Sequence, residues 1–335
     1  MLKEKGEGHL KMKRVRYIGL DLLRGIAAFG IVGCHLSLTS RTDGGDLVTA
    51  LCDFNVGLFA AVAGFLMCGG GKSDSWLEYV GKRARRLLPT YFFWSAMFIL
   101  ATSTFDLLLD GGHLNPKYGT VSFWEKVVFA GDASTHLWFL VCLFYAQVGL
   151  WRCLKSCEGR RYGLIWIGLG GLAIAESVLL GGWFGMYPLR LLAFVMTGYG
   201  IGCGLCEETL DFFRRHRDVV WLVVVGVLVG HVMARGMVPG FIRDWIAVVP
   251  VLLAFVILDS GKEKFVKITA FLGATSMGVY LVHPLITRGL SVVVARLSRP
   301  PYSAQIVLAE WLLAWVISLA ATYVLRRLPV VRRFV

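Results

Sequence analysis

The chain consists largely of apolar runs of roughly 16 to 23 residues joined by short polar loops, and this pattern restricts its fold more than any other feature. A helix of about 20 apolar residues crosses a bilayer with its backbone groups hydrogen-bonded internally. Hydrophobic residues make up 56% of the sequence and charged residues 17%, and the mean hydropathy is +0.65. The sequence therefore predicts an all-α polytopic transmembrane helix bundle in which residues 1–335 form a single membrane domain. The ten predicted spans are 17–39, 48–69, 87–109, 136–153, 163–181, 187–206, 219–235, 244–259, 269–289 and 304–326.

The lysines and arginines predict how these spans are oriented. The net charge of +13 would suggest nucleic-acid binding in a soluble protein. Here, however, 25 of the 35 basic residues fall in alternate segments, beginning with the basic tail at 1–16, and eight fall in the segments between. Cytoplasmic loops are enriched in Lys and Arg, so we predict that both termini are cytoplasmic and that no nucleic acid is bound. The longest outer loop, 110–135, contains VSFWEKVVFAG, which predicts a short interfacial helix.

The first predicted span contains three ionisable residues, Asp21, Arg24 and His35. Ionisable groups inside a membrane helix are costly and commonly functional. Arg24 and His35 lie eleven residues apart, which places them on nearly one helix face and about 16 Å apart along the axis. Asp21 lies one turn before Arg24 and can pair with it. We predict Arg24 on the cytoplasmic side and His35 in the outer half; the structural alternative is an orienting charge and a histidine in a helix contact.

A second basic pattern, YVGKRARRLLPTY, leads into the third span. Arg83 and Arg86 are three residues apart and share a face if the helix has begun. Two planar guanidinium groups are suited to bidentate binding of the phosphates of a nucleotide or coenzyme A. The alternative is that they orient the protein or bind anionic lipid.

Histidines in three later spans are also predicted in the outer half of the membrane. The segment THLWFL places His136 beside Trp138 at the start of the fourth span. Tryptophan is common at the membrane interface, so Trp138 fits an anchor as well as a substrate contact. His231, near the end of the seventh span, and His283, in the ninth, are predicted at similar depth.

The segment GATSMGVYLVHPLI in the ninth span contains Ser276, Tyr280 and His283 about one turn apart. This spacing places the three side chains on one face of the helix. They either form hydrogen bonds between helices or belong to a site, and the pattern does not separate the two. The sequence contains no HExxH motif and no Walker loop, so we predict no metal.

Taken together, these segments resemble the acyltransferase-3 family of membrane acyltransferases, which modify cell-surface glycans, typically by O-acetylation. The likeness extends over most of the chain and rests on DLLRGIAAFGIVGCH, NVGLFAAVAGFLM, YVGKRARRLLPTY, THLWFL and GVYLVHPLI. The chain looks more like the short, stand-alone form of the family, because no acidic residue follows HLWFL. It departs from many relatives at Ala63, where they have a serine.

The resemblance implies an acyl-CoA-dependent O-acyltransferase whose donor, most simply acetyl-CoA, docks from the cytoplasm. It implies that the first-helix arginine and histidine act in acyl transfer, the histidine as general base or transient acyl carrier, with the other histidines orienting it or stabilising an oxyanion. The residues assigned to catalysis are His35, Arg24, His136 and His283. Those assigned to the donor are Arg83, Arg86 and Arg24. Those assigned to the substrate are Trp138, Tyr280 and Ser276.

The resemblance further implies a multi-pass protein of the bacterial inner membrane, in contact with membrane lipid, whose acceptor is a surface glycan or a lipid-linked glycan. Whether it forms a homo-oligomer is left open. The main alternative is a non-enzymatic transporter or exporter of a glycan or lipid-linked intermediate, in which intramembrane polar residues line a pathway. Transporters commonly contain internal repeats, and none is visible in this sequence.

Overall fold

A computed structural model describes residues 17–36, 45–67, 75–109, 120–125, 127–128, 136–156, 167–168, 170–171, 187–205, 207–258, 262–297 and 302–335. Every regular element among these residues is helical, as the sequence predicts. The α-helices are α1 (Ile18–Cys34), α2 (Gly45–Cys52), α3 (Asn55–Met67), α4 (Trp76–Leu109), α5 (Val121–Glu125), α6 (Trp138–Ser156), α7 (Tyr187–Gly204), α8 (Glu207–Arg215), α9 (Arg217–Met233), α10 (Gly240–Val256), α11 (Glu263–Leu297) and α12 (Ala304–Leu325). A 3₁₀ turn, Arg332–Phe334, follows α12.

Several of these helices are long and apolar enough to cross a membrane. By length and composition the described residues contain three such helices, Trp76–Phe105, Glu263–Leu297 and Ala304–Leu325. A fourth results if α8 and α9, which meet at 79°, form one broken span. Helices occur at the other predicted spans too, except 163–181, which lies almost entirely outside the described residues. The count of ten spans and the cytoplasmic position of the termini therefore stay predictions.

Two predicted segments lie wholly or mostly outside the described residues. The tail at 1–16 lies outside the described residues, as does most of the loop at 110–135. Within that loop the five-residue helix α5 occupies Val121–Glu125 and has no buried residue. Its place on the outer leaflet stays a prediction.

The second predicted span is divided into two helices. A turn at Asp53 and Phe54 separates α2 from α3, although the sequence across it is apolar. The Nδ2 of Asn55 donates to the carbonyl of Cys52 at 2.7 Å, which satisfies one of the acceptors that the end of α2 leaves open. Gly30 of α1 makes room for this amide, because a Cβ at Gly30 would overlap it.

The outward surface of α12 is more apolar than its buried stripe. Leu308, Leu312 and Val316 are about half exposed, whereas Glu310 and Ser318 are buried. This is the reverse of a helix in a soluble protein, whose apolar stripe faces the core. Lipid tails solvate an apolar outer face, so the pattern agrees with a membrane span.

The packing of the bundle places α1 near its centre. α1 contacts α2, α3, α10, α11 and α12, and α3 in turn packs closely on α7. The backbones of α3 and α7 approach through two glycines, since a Cβ at Gly64 would overlap the carbonyl of Val195 and a Cβ at Gly198 that of Ala61. Small residues allow such close approach between membrane helices. α1 is therefore surrounded by helices that can share a site with it.

Candidate functional site

His35, His136 and His283 come together from distant parts of the chain. His35 follows the last residue of α1, His136 lies in the turn before α6, and His283 lies within α11. Their ring centroids are 5.0 Å apart for His35 and His283, 5.5 Å for His136 and His283, and 6.4 Å for His35 and His136. We call these residues the histidine cluster. His136 is 2% and His283 0% exposed, whereas His35 is only partly buried, so His35 is the member most accessible to a substrate.

A break in the hydrogen bonding of α11 fixes the orientation of His283. Pro284 lies inside the helix and has no N–H, so the carbonyl of Tyr280 loses its usual helical donor. The Nδ1 of His283 lies 2.7 Å from that carbonyl and 3.2 Å from the carbonyl of Val279, and its hydrogen is donated there. The Nε2 of the neutral ring is then an acceptor, and it is buried with no hydrogen-bond partner in the described part of the chain. The helix thus holds a basic nitrogen within the histidine cluster.

The same turn of α11 also fixes His136. The Tyr280 hydroxyl donates to the carbonyl of His136, and His136 forms a hydrogen bond with the backbone of Leu281. The His136 ring lies 4.8 Å from the ring of Phe98 on α4. Contacts from α4 and α11 therefore hold the turn before α6 in place.

The three predicted donor-binding arginines line one cavity of about 330 Å³. Arg24 belongs to α1, and Arg83 and Arg86 belong to one face of α4. The guanidinium of Arg24 lies 3.9 Å from the carboxylate of Asp21, which offsets part of its charge. Arg333, beyond α12, lines the same cavity. Guanidinium groups gathered on one cavity are suited to an anion with several phosphate oxygens.

The remaining wall of the cavity is mainly apolar. α3 contributes Phe59, Val62 and Ala63, and α6 contributes Phe139 and Leu140, among others. A ligand with a phosphorylated end and a long, weakly polar arm matches this division into a cationic part and an apolar part.

Three aromatic rings lie between the cavity and the histidine cluster. They belong to Phe59, Phe139 and Tyr280. The ring centroids are 6.3 Å apart for Phe59 and Phe139, 6.2 Å for Phe59 and Tyr280, and 5.4 Å for Phe139 and Tyr280. The two phenylalanines line the cavity, whereas Tyr280 does not and instead lies 5.5 Å from His136 and 6.1 Å from His283, ring to ring. We call these three residues the aromatic layer. No member of the histidine cluster lines the cavity, so this layer separates the two groups of predicted residues.

The positions of two residues assigned to the substrate, Trp138 and Ser276, do not indicate whether they contact it. The ring of Trp138 is partly buried and lies 6.3 Å from that of Phe139, but Trp138 does not line the cavity. Ser276 is buried and its hydroxyl donates to the carbonyl of Gly273 in its own helix at 2.8 Å. Their contact with a substrate stays a prediction.

His231, predicted at the same depth as the other histidines, lies in a different group of residues. Its Nε2 is 3.8 Å from a carboxylate oxygen of Asp244. Arg243 lies between two acids, 3.5 Å from Asp53 and 4.0 Å from Asp244. His231, Arg243 and Asp244 are buried and Asp53 is half-buried, and the four side chains form a polar network between α9, α10 and the turn after α2.

Sequence reasoning did not identify the aromatic layer phenylalanines, Arg333 or the network around Arg243. Phe59 and Phe139 are ordinary apolar residues of membrane helices, and only packing brings them together. Arg333 follows the last predicted span, where a basic residue by itself indicates only orientation. The adjacent pair Arg243 and Asp244 at the start of a membrane helix was the one available signal, because ionisable groups are costly there.

Within the described part of the chain, no three His, Cys, Asp or Glu side chains are arranged to hold a metal ion. In the comparison with known proteins, a family model described as an acyltransferase domain matches residues 17–327, nearly the whole chain. No curated protein and no solved structure matches. The matched range includes the histidine cluster and the three predicted arginines, and it ends before Arg333.

Proposed function

This chain belongs to the acyltransferase-3 family of membrane acyltransferases, and we propose that it transfers an acetyl group from cytoplasmic acetyl-CoA to a hydroxyl of a surface or lipid-linked glycan at the outer side of a bacterial inner membrane. One observation supports this most. A single helix, α1, contains Arg24 of the arginine-lined cavity and ends at His35 of the histidine cluster, about 16 Å further along its axis. A donor bound at one end and an acceptor at the other would meet along this helix.

In this scheme the phosphates of the donor bind Arg83 and Arg86, and its acyl arm extends along the apolar wall past Arg24. Charge-assisted, bidentate bonds to guanidinium groups fix the phosphorylated end. The wall formed by α3 and α6 accepts the arm, which places the thioester against Phe59 and Phe139. The anchored phosphates hold the thioester in place for attack.

His35 acts as the general base at the acceptor hydroxyl. As the hydroxyl oxygen attacks the thioester carbonyl, His35 takes its proton; the C–S bond then breaks, and the departing thiolate receives that proton. His283 offers Nε2 as an acceptor that orients the His35 ring, and His136 lies beside the developing oxyanion. The scheme needs a neutral His35, because only a neutral ring has a nitrogen that can accept the proton.

The aromatic layer has to move for the thioester to reach the histidine cluster. Phe59, Phe139 and Tyr280 pack against one another between the cavity and the cluster. Rotation of these side chains would open a path from the cavity to the histidine cluster. Before they rotate, the same side chains would keep water away from the thioester.

The test compares two histidine variants of the purified protein. We expect His35→Ala to lower acetyl transfer to the acceptor by about 100-fold or more, because general base catalysis is lost. His216→Ala is the matched control, since His216 is an exposed histidine between α8 and α9 and should leave the rate unchanged. Mass spectrometry of envelope glycans with and without the gene identifies the acceptor. Parental transfer by correctly inserted His35→Ala would contradict the scheme.

The alternative function, glycan export without chemistry, predicts a different result in the same assay. An exporter would release no coenzyme A from acetyl-CoA in detergent, with or without an acceptor. Acetyl-CoA turnover by the purified protein therefore separates the two functions directly.

A further inference from the structure

The residues after α12 return to the bundle and pack on α4. We call Arg332–Val335 the C-terminal segment. The indole Nε1 of Trp94 donates to the carbonyl of Phe334 at 2.9 Å. The Phe334 ring stacks on that of Phe93, with centroids 4.6 Å apart and planes 8° from parallel. Two neighbouring aromatic residues of α4 thus hold the segment on the helix that also contains Arg83 and Arg86.

The C-terminal segment also packs on α11. Gly278 lies opposite Val335, and a Cβ at this glycine would come within 2.6 Å of Cγ1 of Val335. The missing side chain at Gly278 therefore leaves the space that the segment uses. Contacts with two helices therefore fix Phe334 and Val335, the two residues that follow Arg333.

Within this segment the two arginines have different surroundings. Arg333 lines the arginine-lined cavity together with Phe334 and Val335, whereas Arg332 does not line it. Both residues are exposed and lie at the same end of the molecule. Only one of them can contact a ligand inside the cavity.

We propose that Arg333 binds the 3′-phosphate of coenzyme A and so makes the donor site selective for the 3′-phosphorylated form. This inference rests on the proposed function, because it assumes a CoA thioester as the donor. A CoA molecule has about four negative charges, two on its diphosphate and up to two on its 3′-phosphate. Four arginines line the cavity, and the charge of Arg24 is partly offset by Asp21.

Arg333 is assigned to the 3′-phosphate from its position. It is exposed and lies after the last α-helix, whereas Arg24 belongs to the central helix and Arg83 and Arg86 belong to α4. With the acyl end directed along the apolar wall, the adenosine end of the donor is the part nearest the solvent. Arg333 then meets the 3′-phosphate, and Arg83 and Arg86 remain for the diphosphate.

The experiment measures the Kd of coenzyme A and of 3′-dephospho-coenzyme A for the full-length protein purified in detergent. We expect the unmodified protein to bind coenzyme A about tenfold more tightly, because a charge-assisted pair to the 3′-phosphate is lost with dephospho-coenzyme A. Arg333→Gln should bind both compounds with the weaker Kd. Arg333→Lys should retain part of the preference, because it keeps the charge without the bidentate geometry.

Arg332→Gln is the matched control, since it removes the same charge one residue away and should keep the full preference. An unchanged preference in Arg333→Gln, or an equal loss in Arg332→Gln, would overturn the assignment to Arg333 while the proposed function stands. If the unmodified protein binds neither compound and does not turn over acetyl-CoA, the proposed function fails and this inference fails with it.

Discussion

Arg85 and Arg86 are neighbours with the same charge, but only Arg86 lines the cavity. We expect Arg86→Gln to raise the KM for acetyl-CoA at least tenfold, because a hydrogen bond to a charged group contributes about 1.5–3 kcal/mol. Arg85→Gln should change KM less than about twofold, since Arg85 does not line the cavity. Steady-state kinetics of the purified variants give both values. Equal increases in KM would indicate a general effect of basic charge at this surface.

Because burying a charged group in a membrane is costly, several candidate site residues could be predicted one at a time from the sequence. Arg24 and His35 could be singled out because their run is otherwise apolar, and the structure places one in the cavity and the other in the histidine cluster. Ser276 could not be resolved in this way. Its helix position predicts the face on which it lies, but not whether the hydroxyl meets a ligand or, as found, the carbonyl of Gly273.

At the scale of the helix, Pro284 determines which nitrogen of His283 is available. Replacing it with alanine restores an N–H that competes for the Tyr280 carbonyl, so His283 loses its fixed orientation. We expect Pro284→Ala to lower kcat about tenfold or more without lowering the thermal unfolding temperature, because an interior proline itself costs a helix about 3 kcal/mol.

Pro250→Ala is the control for this prediction, since Pro250 also lies inside a helix, α10, away from the histidine cluster. Its kcat should stay near the parental value. Parental kcat in Pro284→Ala would show that the orientation of His283 does not depend on the missing N–H. Turnover of acetyl-CoA and thermal unfolding in detergent supply the two measurements.

The aromatic layer is formed by residues of three different helices and lies at the end of the apolar cavity wall. It should therefore limit the length of the acyl chain that the cavity accepts. Phe139→Ala removes a ring from the end of the cavity wall, which leaves space for about two more methylenes. Each buried methylene contributes about 0.8 kcal/mol, so the ratio of kcat/KM for butyryl-CoA to that for acetyl-CoA should rise about tenfold. Phe144→Ala, on the same helix but not lining the cavity, should leave the ratio unchanged. No increase in Phe139→Ala would mean that the acyl group ends elsewhere.

The length of each apolar run was enough to predict that a helix forms there. It did not predict where one run is divided into two helices. The break at Asp53 and Phe54 falls within a run that is apolar on both sides. Asn55 and the space at Gly30 stabilise the break through a contact between α1 and the α2–α3 turn. Such a contact depends on a neighbouring helix, which hydropathy does not describe.

For the whole molecule, the charge distribution predicts which loops face outward. Met237, in the loop between α9 and α10, is 81% exposed and is predicted outside, whereas Lys262, before α11, is predicted in the cytoplasm. In intact cells we expect a membrane-impermeant maleimide to label Met237→Cys and not Lys262→Cys, after subtracting the labelling of the native cysteines. Both should react after lysis. Labelling of Lys262→Cys in intact cells would mean that the orientation is reversed or that the span count is wrong.

By itself the sequence determined that this is a helical membrane protein, and it singled out three of the four cavity arginines and the three histidines of the histidine cluster. Run length and the cost of a buried charge are local properties, so one sequence is enough to read them. Only the tertiary structure decided which of these residues meet. His231 was predicted at the depth of His35 but lies with Asp244, whereas His136 and His283 lie with His35. Position along a helix sets depth, but the contacts between helix faces set the neighbours.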